Sequence, residues 1–270
     1  MQNKFSESIP RKAVKRPYQD VAAFLLLTGV VFFFLYQGSR DTGYHWQWYR
    51  IPRFILTVEN GSLIPGPLLD GLWITLHITL ISFILTLFFG IVTAIFRLSD
   101  SQIARILARG YLEGIRNTPL LVQLFFIYFV IAPIVGLGRF SSAVLALGLF
   151  EGAYASEMFR AGILSVPHGQ WEAARGLGLN TLQAYRHIIL PQGVRKMLPP
   201  LTGQVISLVK DSALVSTIAI SDLTLQGESI IAETFLAFEI WFTVAVIYLS
   251  ITLTLSLAAF RIEKRMSHLI

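Results

Sequence analysis

Six apolar runs alternate with shorter polar stretches along the 270-residue chain. They lie at about Val21 to Tyr36, Leu69 to Phe96, Tyr111 to Val135, Phe140 to Ile163, Leu198 to Ile220 and Glu239 to Phe260. A helix that crosses a bilayer needs roughly 20 mostly apolar residues. The pattern therefore predicts an all-α, polytopic membrane protein with about six transmembrane helices. The first run follows Arg11, Lys12, Lys15 and Arg16, the arrangement of a signal peptide. It ends in Gln37-Gly38-Ser39-Arg40 with no small-residue cleavage site, so it reads as a retained span.

The polar stretches differ in character. Ser39 to Pro67 carries Tyr44, Trp46, Trp48 and Tyr49, rings that favour the headgroup region, and reads as a short helix on the outer interface. Asn60-Gly61-Ser62 within it fits a glycosylation sequon and also a turn; the turn is preferred. Thr75, Thr79, Ser82 and Thr86 stud the second run, where hydroxyls bond back to the helix or across to a neighbour. Pro119 reads as a helix start, with Glu113 and Arg116 close enough in sequence to pair. Lys and Arg gather in the N-terminal tail, after Phe96, around Arg175 and in the C-terminal tail, whereas only Arg40, Arg50, Arg53 and Arg139 fall in the opposite loops. By the positive-inside rule, both termini and the segment after Ile163 face the cytoplasm.

Composition agrees. The chain is 54% hydrophobic and 14% charged, with mean hydropathy +0.63, against about 25% charged in a soluble domain. The net charge of +6 reads as membrane topology rather than nucleic-acid binding. The lack of cysteine excludes disulfides, thiolate metal sites and cysteine nucleophiles.

One polar segment stands apart. Trp171 to Pro191 reads WEAARGLGLNTLQAYRHIILP, basic and helix-forming, between two apolar runs. Gln170 to Leu177 forms one short helix, which Gly176 and Gly178 close. Asn180 or Thr181 caps a second that reaches Ile189, and Pro191 prevents its simple continuation. Ala173 and Ala174 leave room for a partner's groove, and Glu172 offers one carboxylate. On helix physics alone, a loop lying on lipid headgroups explains the segment as well. However, Glu172, Ala173, Ala174, Gly178, Ile188, Leu190 and Pro191 match the spacing of the cytoplasmic EAA loop of ABC importer permeases. Arg116-Asn117-Thr118-Pro119-Leu120-Leu121-Val122-Gln123 resembles the RGTPLLVQ segment of permeases for polar amino acids, with Asn117 in place of the usual glycine. The stretch from Ala153 to Gly162, Leu198-Pro199-Pro200-Leu201 and Lys210-Asp211-Ser212 resemble other segments of that family.

The resemblance covers about Gly71 to the C-terminus. It implies a permease domain at 69–265 with a coupling loop at 164–197. Residues 1–68 form an N-terminal tail, an additional helix and an external loop. The resemblance also implies a second permease subunit (a copy or a different chain), a cytoplasmic ABC ATPase dimer and a periplasmic or lipid-anchored amino-acid-binding protein, all at a bacterial inner membrane. ATP and Mg would be held by the ATPase, with no cofactor on this chain.

Charged groups at bilayer depth usually face protein or water. Gln123, Tyr154, Glu157, Ser207, Lys210 and Asp211 are the candidate substrate-pathway residues. For Glu157 the alternative is an interhelical ion pair. For Asp211 it is pairing with a positive group on another helix. Glu151 shares a broad face with Tyr154 and Glu157 and ranks below them. His45, His77, His168, His187 and His268 show no metal-ligand spacing, and there is no GxxxxGK[ST] loop to bind ATP. An ion-coupled secondary amino-acid carrier is the alternative function. A membrane-embedded enzyme would need a convergent catalytic set, and the sequence displays none.

Overall fold

The computed structural model describes residues 17–41, 44–59 and 61–267, so Arg11, Lys12, Lys15, Arg16 and Asn60 lie outside the described residues. The chain divides into two units, Met1–Trp46 and Gln47–Ile270. In the first, the expected first span is helix α1 (Pro17–Asp41), where Thr28 Oγ1 donates to the Phe24 carbonyl at 2.8 Å.

The second unit opens with a 3-10 turn, Trp48–Arg50, and a short helix α2 (Pro52–Ile55). An antiparallel hairpin of β1 (Leu56–Glu59) and β2 (Ser62–Pro65) follows, with Val58 opposite Leu63. The short helix expected here exists, but the sequence reading missed the hairpin. Gly61, at φ +78°, sits at its turn.

Helix α3 (Pro67–Leu98) leads into α4 (Gln102–Arg116). Then come α5 (Leu120–Phe125), a π-helical stretch Phe126–Ile131 and α6 (Ala132–Val135). Helix α7 (Arg139–Leu164) precedes the short helices α8 (His168–Gly176) and α9 (Thr181–Ala184). A second π-helical stretch, Tyr185–Ile189, runs into α10 (Leu190–Asp211), and a 3-10 segment Ser212–Ile218 closes it. Helices α11 (Leu223–Thr234) and α12 (Ala237–Ser267) complete the unit.

Small residues set the packing. A Cβ on Gly148 of α7 would lie 2.6 Å from the Leu85 Cβ of α3, and one on Gly152 would lie 2.8 Å from that of Phe89. Gly90 faces Ala155 and Phe159 in turn. The contacts advance in the same sense along both chains, so α3 and α7 run parallel at glycine-limited distance, as lipid-embedded helices do where apolar burial gives no net drive. Helix α10 runs the other way past α7: Gly193 meets Gly162, and Met197 and Leu201 cluster with Ala155. At the other end, Ile51 and Leu68 pack with Leu223, Leu236 and Ile240.

The expected spans take different forms. Among the described residues, α3 and the Ala237–Arg261 part of α12 are each long and apolar enough to cross a membrane. Two further spans qualify only as bent pairs: Gln102–Arg116 with Leu120–Val135, bent by 106°, and Thr181–Ile218 with Leu223–Thr234, bent by 50°. The apolar run read from Tyr111 thus crosses a sharp corner at Asn117–Pro119. Pro119 does start a helix, because its missing N–H costs nothing at an N-cap. The stretch read as a loop from Ser221 to Phe238 contains α11, which Asp222 caps by accepting from the Leu225 N–H at 2.9 Å.

Two hydroxyl expectations hold. Thr75 and Thr79 donate to the carbonyls four residues back, at 3.0 and 2.8 Å. Thr75 Oγ1 also accepts from the Leu223 N–H at 3.1 Å, tying α3 to α11. Ser82 and Thr86 are buried without a hydrogen-bond partner.

Candidate functional site

Two regions of the fold concentrate polar chemistry. The first is the polar module between α7 and α10. Helix α8 ends at Gly176, and Gly178 takes φ +73°, the left-handed conformation that glycine adopts without strain. The Gly178 and Leu179 amides donate to the Arg175 and Ala174 carbonyls at 2.9 and 3.1 Å. Asn180 then caps α9. Its Oδ1 accepts from the Gln183 amide at 2.9 Å, and Gln183 Oε1 accepts from the Asn180 amide at 3.0 Å. This reciprocal pair is a capping box. Trp171 packs edge-on against Tyr185, with centroids 5.0 Å apart, and braces the two limbs.

The module places the expected coupling residues unevenly. Glu172, Ala173, Gly178, Leu190 and Pro191 are exposed and Ile188 is half-buried, whereas Ala174 is fully buried. Ala174 therefore packs inside the module. Glu172 shares its carboxylate with His168 Nδ1 at 3.1 Å. The second helix does not continue simply past Ile189. Pro191 occupies the first turn of α10 directly after the π-helical stretch, whose wider turn accommodates a residue with no N–H to donate. Sequence reasoning passed over Leu177 and Leu182, which flank the corner at 75% and 77% exposure. Their apolar character within a polar segment was the available signal.

The second region lies where α3, α4 and α7 meet. Glu157 of α7 is held by Arg97 of α3, by Arg116 of α4 at 3.4 Å and by Arg160 at 3.3 Å. Arg116 also lies 5.6 Å from the centroid of the Tyr154 ring. The interhelical ion pair weighed for Glu157 is thus present. The Glu113–Arg116 pair is not: Glu113 Oε2 accepts from Asn117 Nδ2 at 2.8 Å, and Arg116 turns to Glu157. These residues, with Arg105 and Arg109, surround a cavity of about 440 Å³. Arg160, three residues after Glu157, was within reach of sequence reasoning as an (i, i+3) partner; Arg97, sixty positions before Glu157, was not.

The other candidates lie apart. Gln123 is buried and serves the α4–α5 corner. Its Nε2 lies 2.7 Å from the Ile115 carbonyl, 2.8 Å from Thr118 Oγ1 and 3.0 Å from the Thr118 carbonyl. Ser207 and Asp211 are half-buried on α10 and Lys210 is exposed. The carboxyl of Glu151 lies beside Asp211, and among the described residues no ion pair joins Asp211 to a positive group. Glu151 is 1% exposed and its Oε2 has no hydrogen-bond partner. Among the described residues, no group of three or more His, Cys, Asp or Glu is arranged to hold a metal ion.

Parallel, glycine-packed helices interrupted by an exposed polar elbow define a helical membrane transporter subunit rather than a soluble enzyme. The chain belongs to the family of binding-protein-dependent transport system inner membrane components, whose model matches residues 86–268. It is 40% identical over 202 residues to the glutamine transport system permease protein GlnP of Escherichia coli strain K12, covering 74% of this chain and 92% of that one. It is also 40% identical over 203 residues to the L-cystine transport system permease protein TcyB of Bacillus subtilis strain 168, covering 74% and 87%. A crystal structure of an amino acid ABC transporter with histidines superposes with TM-score 0.69 at 37% identity, over 74% of this chain and 94% of that one. The protein is therefore an ABC importer permease subunit of the inner membrane, and not an enzyme. Such systems work with an ATPase and a binding protein. The ion-coupled carrier gains no support from these relatives.

Proposed function

We propose that the protein forms the membrane path for a polar amino acid and converts ATP-driven motion of partner subunits into alternating access. The relatives named for glutamine and L-cystine support that substrate class. In this reading both termini lie in the cytoplasm, two permease subunits assemble with an ATPase dimer, and a loaded binding protein delivers substrate from outside. ATP and Mg sit on the ATPase.

The observation that carries the coupling role is the elbow at Gly178, a rigid two-helix corner with Leu177 and Leu182 exposed beside it. ATP draws the ATPases together. Each pushes on this corner, and the force passes along the unbroken run from α9 through the π-helical stretch into α10. Helix α10 packs directly on α7, so the motion reaches Glu157 and Glu151. Tyr154, Glu157, Ser207, Lys210 and Asp211 are the polar groups that the moving helices offer to the solute.

The test is uptake by proteoliposomes that hold the permease with its ATPase and binding protein. Uptake of a polar amino acid that needs ATP and stops with vanadate supports the reading. Transport that survives ATP depletion and collapses with an uncoupler overturns it.

A further inference from the structure

Five guanidinium groups and two carboxylates face one cavity at the junction of α3, α4 and α7. Both carboxylates are already engaged, Glu157 by three arginines and Glu113 by Asn117. Among the described residues, Arg105 reaches only the Asp100 carbonyl, at 3.4 Å. Arg109 has no hydrogen bond or ion pair among the described residues. Positive-inside topology accounts for arginines somewhere near this end of the helices. It does not account for their convergence on one concave space from three helices. Like charges at such range repel unless an anion or water offsets them.

We infer that this cavity is a binding site for the α-carboxylate of the transported amino acid, a station on its way out of the path. The inference rests on the transport reading above. Guanidinium groups bind carboxylates through two parallel N–H···O bonds, and a cavity of about 440 Å³ lies in the range of small-molecule sites. The Tyr154 ring lies against Arg116 and limits the swing of its guanidinium. Arg105 and Arg109, which carry no carboxylate of their own, supply the free donors. The grip of three arginines on Glu157 shows the site holding one carboxylate already; the solute carboxylate occupies the second place.

Arginine modification by phenylglyoxal, read residue by residue by mass spectrometry, tests this on the intact permease–ATPase complex in phosphatidylcholine nanodiscs. The probes are L-glutamine, L-glutamate, the α-amide of each, and inorganic phosphate, with a parallel set of discs containing phosphatidylglycerol. The expected result is that L-glutamine or L-glutamate slows modification of Arg109 by about fivefold or more, while the α-amides do not. Arg109→Gln and Arg105→Gln should each weaken the protection of Arg116 by about tenfold and leave assembly of the complex intact. Equal protection by amides and acids, or no protection by any probe, overturns the inference. Protection only by phosphate or only in phosphatidylglycerol discs also overturns it, and assigns the cavity to a phosphate group or a lipid headgroup respectively. Uptake of the same amino acids is measured on the same preparation. Uptake without protection sinks this inference alone; an ATP-independent uptake sinks the transport reading beneath it.

Discussion

Replacing Gly178 with valine isolates the elbow's backbone from its packing. A Cβ at Gly178 meets nothing within 4 Å, so steric collision with neighbours plays no part. The whole cost comes from φ +73°. An L-residue in that conformation costs about 1–2 kcal/mol, and a β-branched one lies toward or above the upper end. A penalty of about 2 kcal/mol shifts the balance between this corner and its alternatives by roughly thirtyfold. Gly176 is the internal control. It also has open space around its Cβ, but it lies in the regular last turn of α8 without a positive φ. Alanine there should stabilise the helix by about 0.5–1 kcal/mol. In proteoliposomes with the ATPase and binding protein, Gly178→Val should lower the ratio of solute moved to ATP hydrolysed by about tenfold. Membrane insertion should persist, and Gly176→Ala should keep the wild-type ratio. A Gly178→Val protein that couples normally, or a Gly176→Ala protein that uncouples as badly, would refute the elbow as the lever.

Three further outcomes follow from the packing. Thr75→Val leaves the buried Leu223 N–H without its acceptor and should cost about 1–3 kcal/mol, seen as a lower melting temperature in detergent; Thr79→Val, whose hydroxyl only bonds back to Thr75, should cost less. Gly148→Val drives a side chain into the Leu85 Cβ and should destabilise the α3–α7 contact by about 1–3 kcal/mol; Leu85→Gly, which removes that Cβ, should restore part of the loss in the double variant's thermal melt, and Leu85→Ala, which keeps it, should not. Glu157→Gln removes the carboxylate that three arginines share, each of them partly exposed. Uptake should fall while copurification with the ATPase stays intact, and normal uptake kinetics would confine Glu157 to a structural role.

Hydropathy located the long elements because lipid imposes a single requirement on each of them. Helices α3 and α7 fall within about two residues of the runs that foretold them. The elbow was legible for a different reason: glycine and asparagine at fixed offsets each have one dominant local use, and Gly178 and Asn180 are used in that way, whereas the return bond from Gln183 was not read from the sequence. Direction was not legible. The apolar run from Tyr111 reads as one segment, yet the chain turns through 106° at Asn117–Pro119, because hydropathy counts residues and not angles. The α11 helix was hidden because its sequence, with Thr224, Gln226, Glu228 and Ser229, is too polar for a span. Pairs such as Glu151 with Asp211, or Arg97 with Glu157, join residues sixty positions apart, and one sequence contains no signal for them.

The broken helices account for several of the polar residues that the fold engages at its bends. A helix that bends inside lipid exposes backbone groups that no water can satisfy, and each must find a partner within the protein. At the α4–α5 corner, Gln123 reaches the Ile115 and Thr118 carbonyls. Where α10 gives way to α11, Ala219 takes φ +58°, and its carbonyl accepts from Arg139 Nη1 at 3.2 Å. Thr75 and Asp222 then take the first amides of α11. Gln123, Thr75, Asp222 and Arg139 are therefore committed to holding the bends. Subtracting them leaves Glu151 with Asp211, Lys210, and Glu157 with its arginines among the charged groups on the central helices that no bend requires. The cost of keeping a charge there is large, and the fold's own geometry does not demand it. Those groups are accordingly where solute chemistry is to be sought, and Glu151 and Glu157 at their centre lie on α7, the helix that both the glycine-packed α3 and the elbow-driven α10 touch.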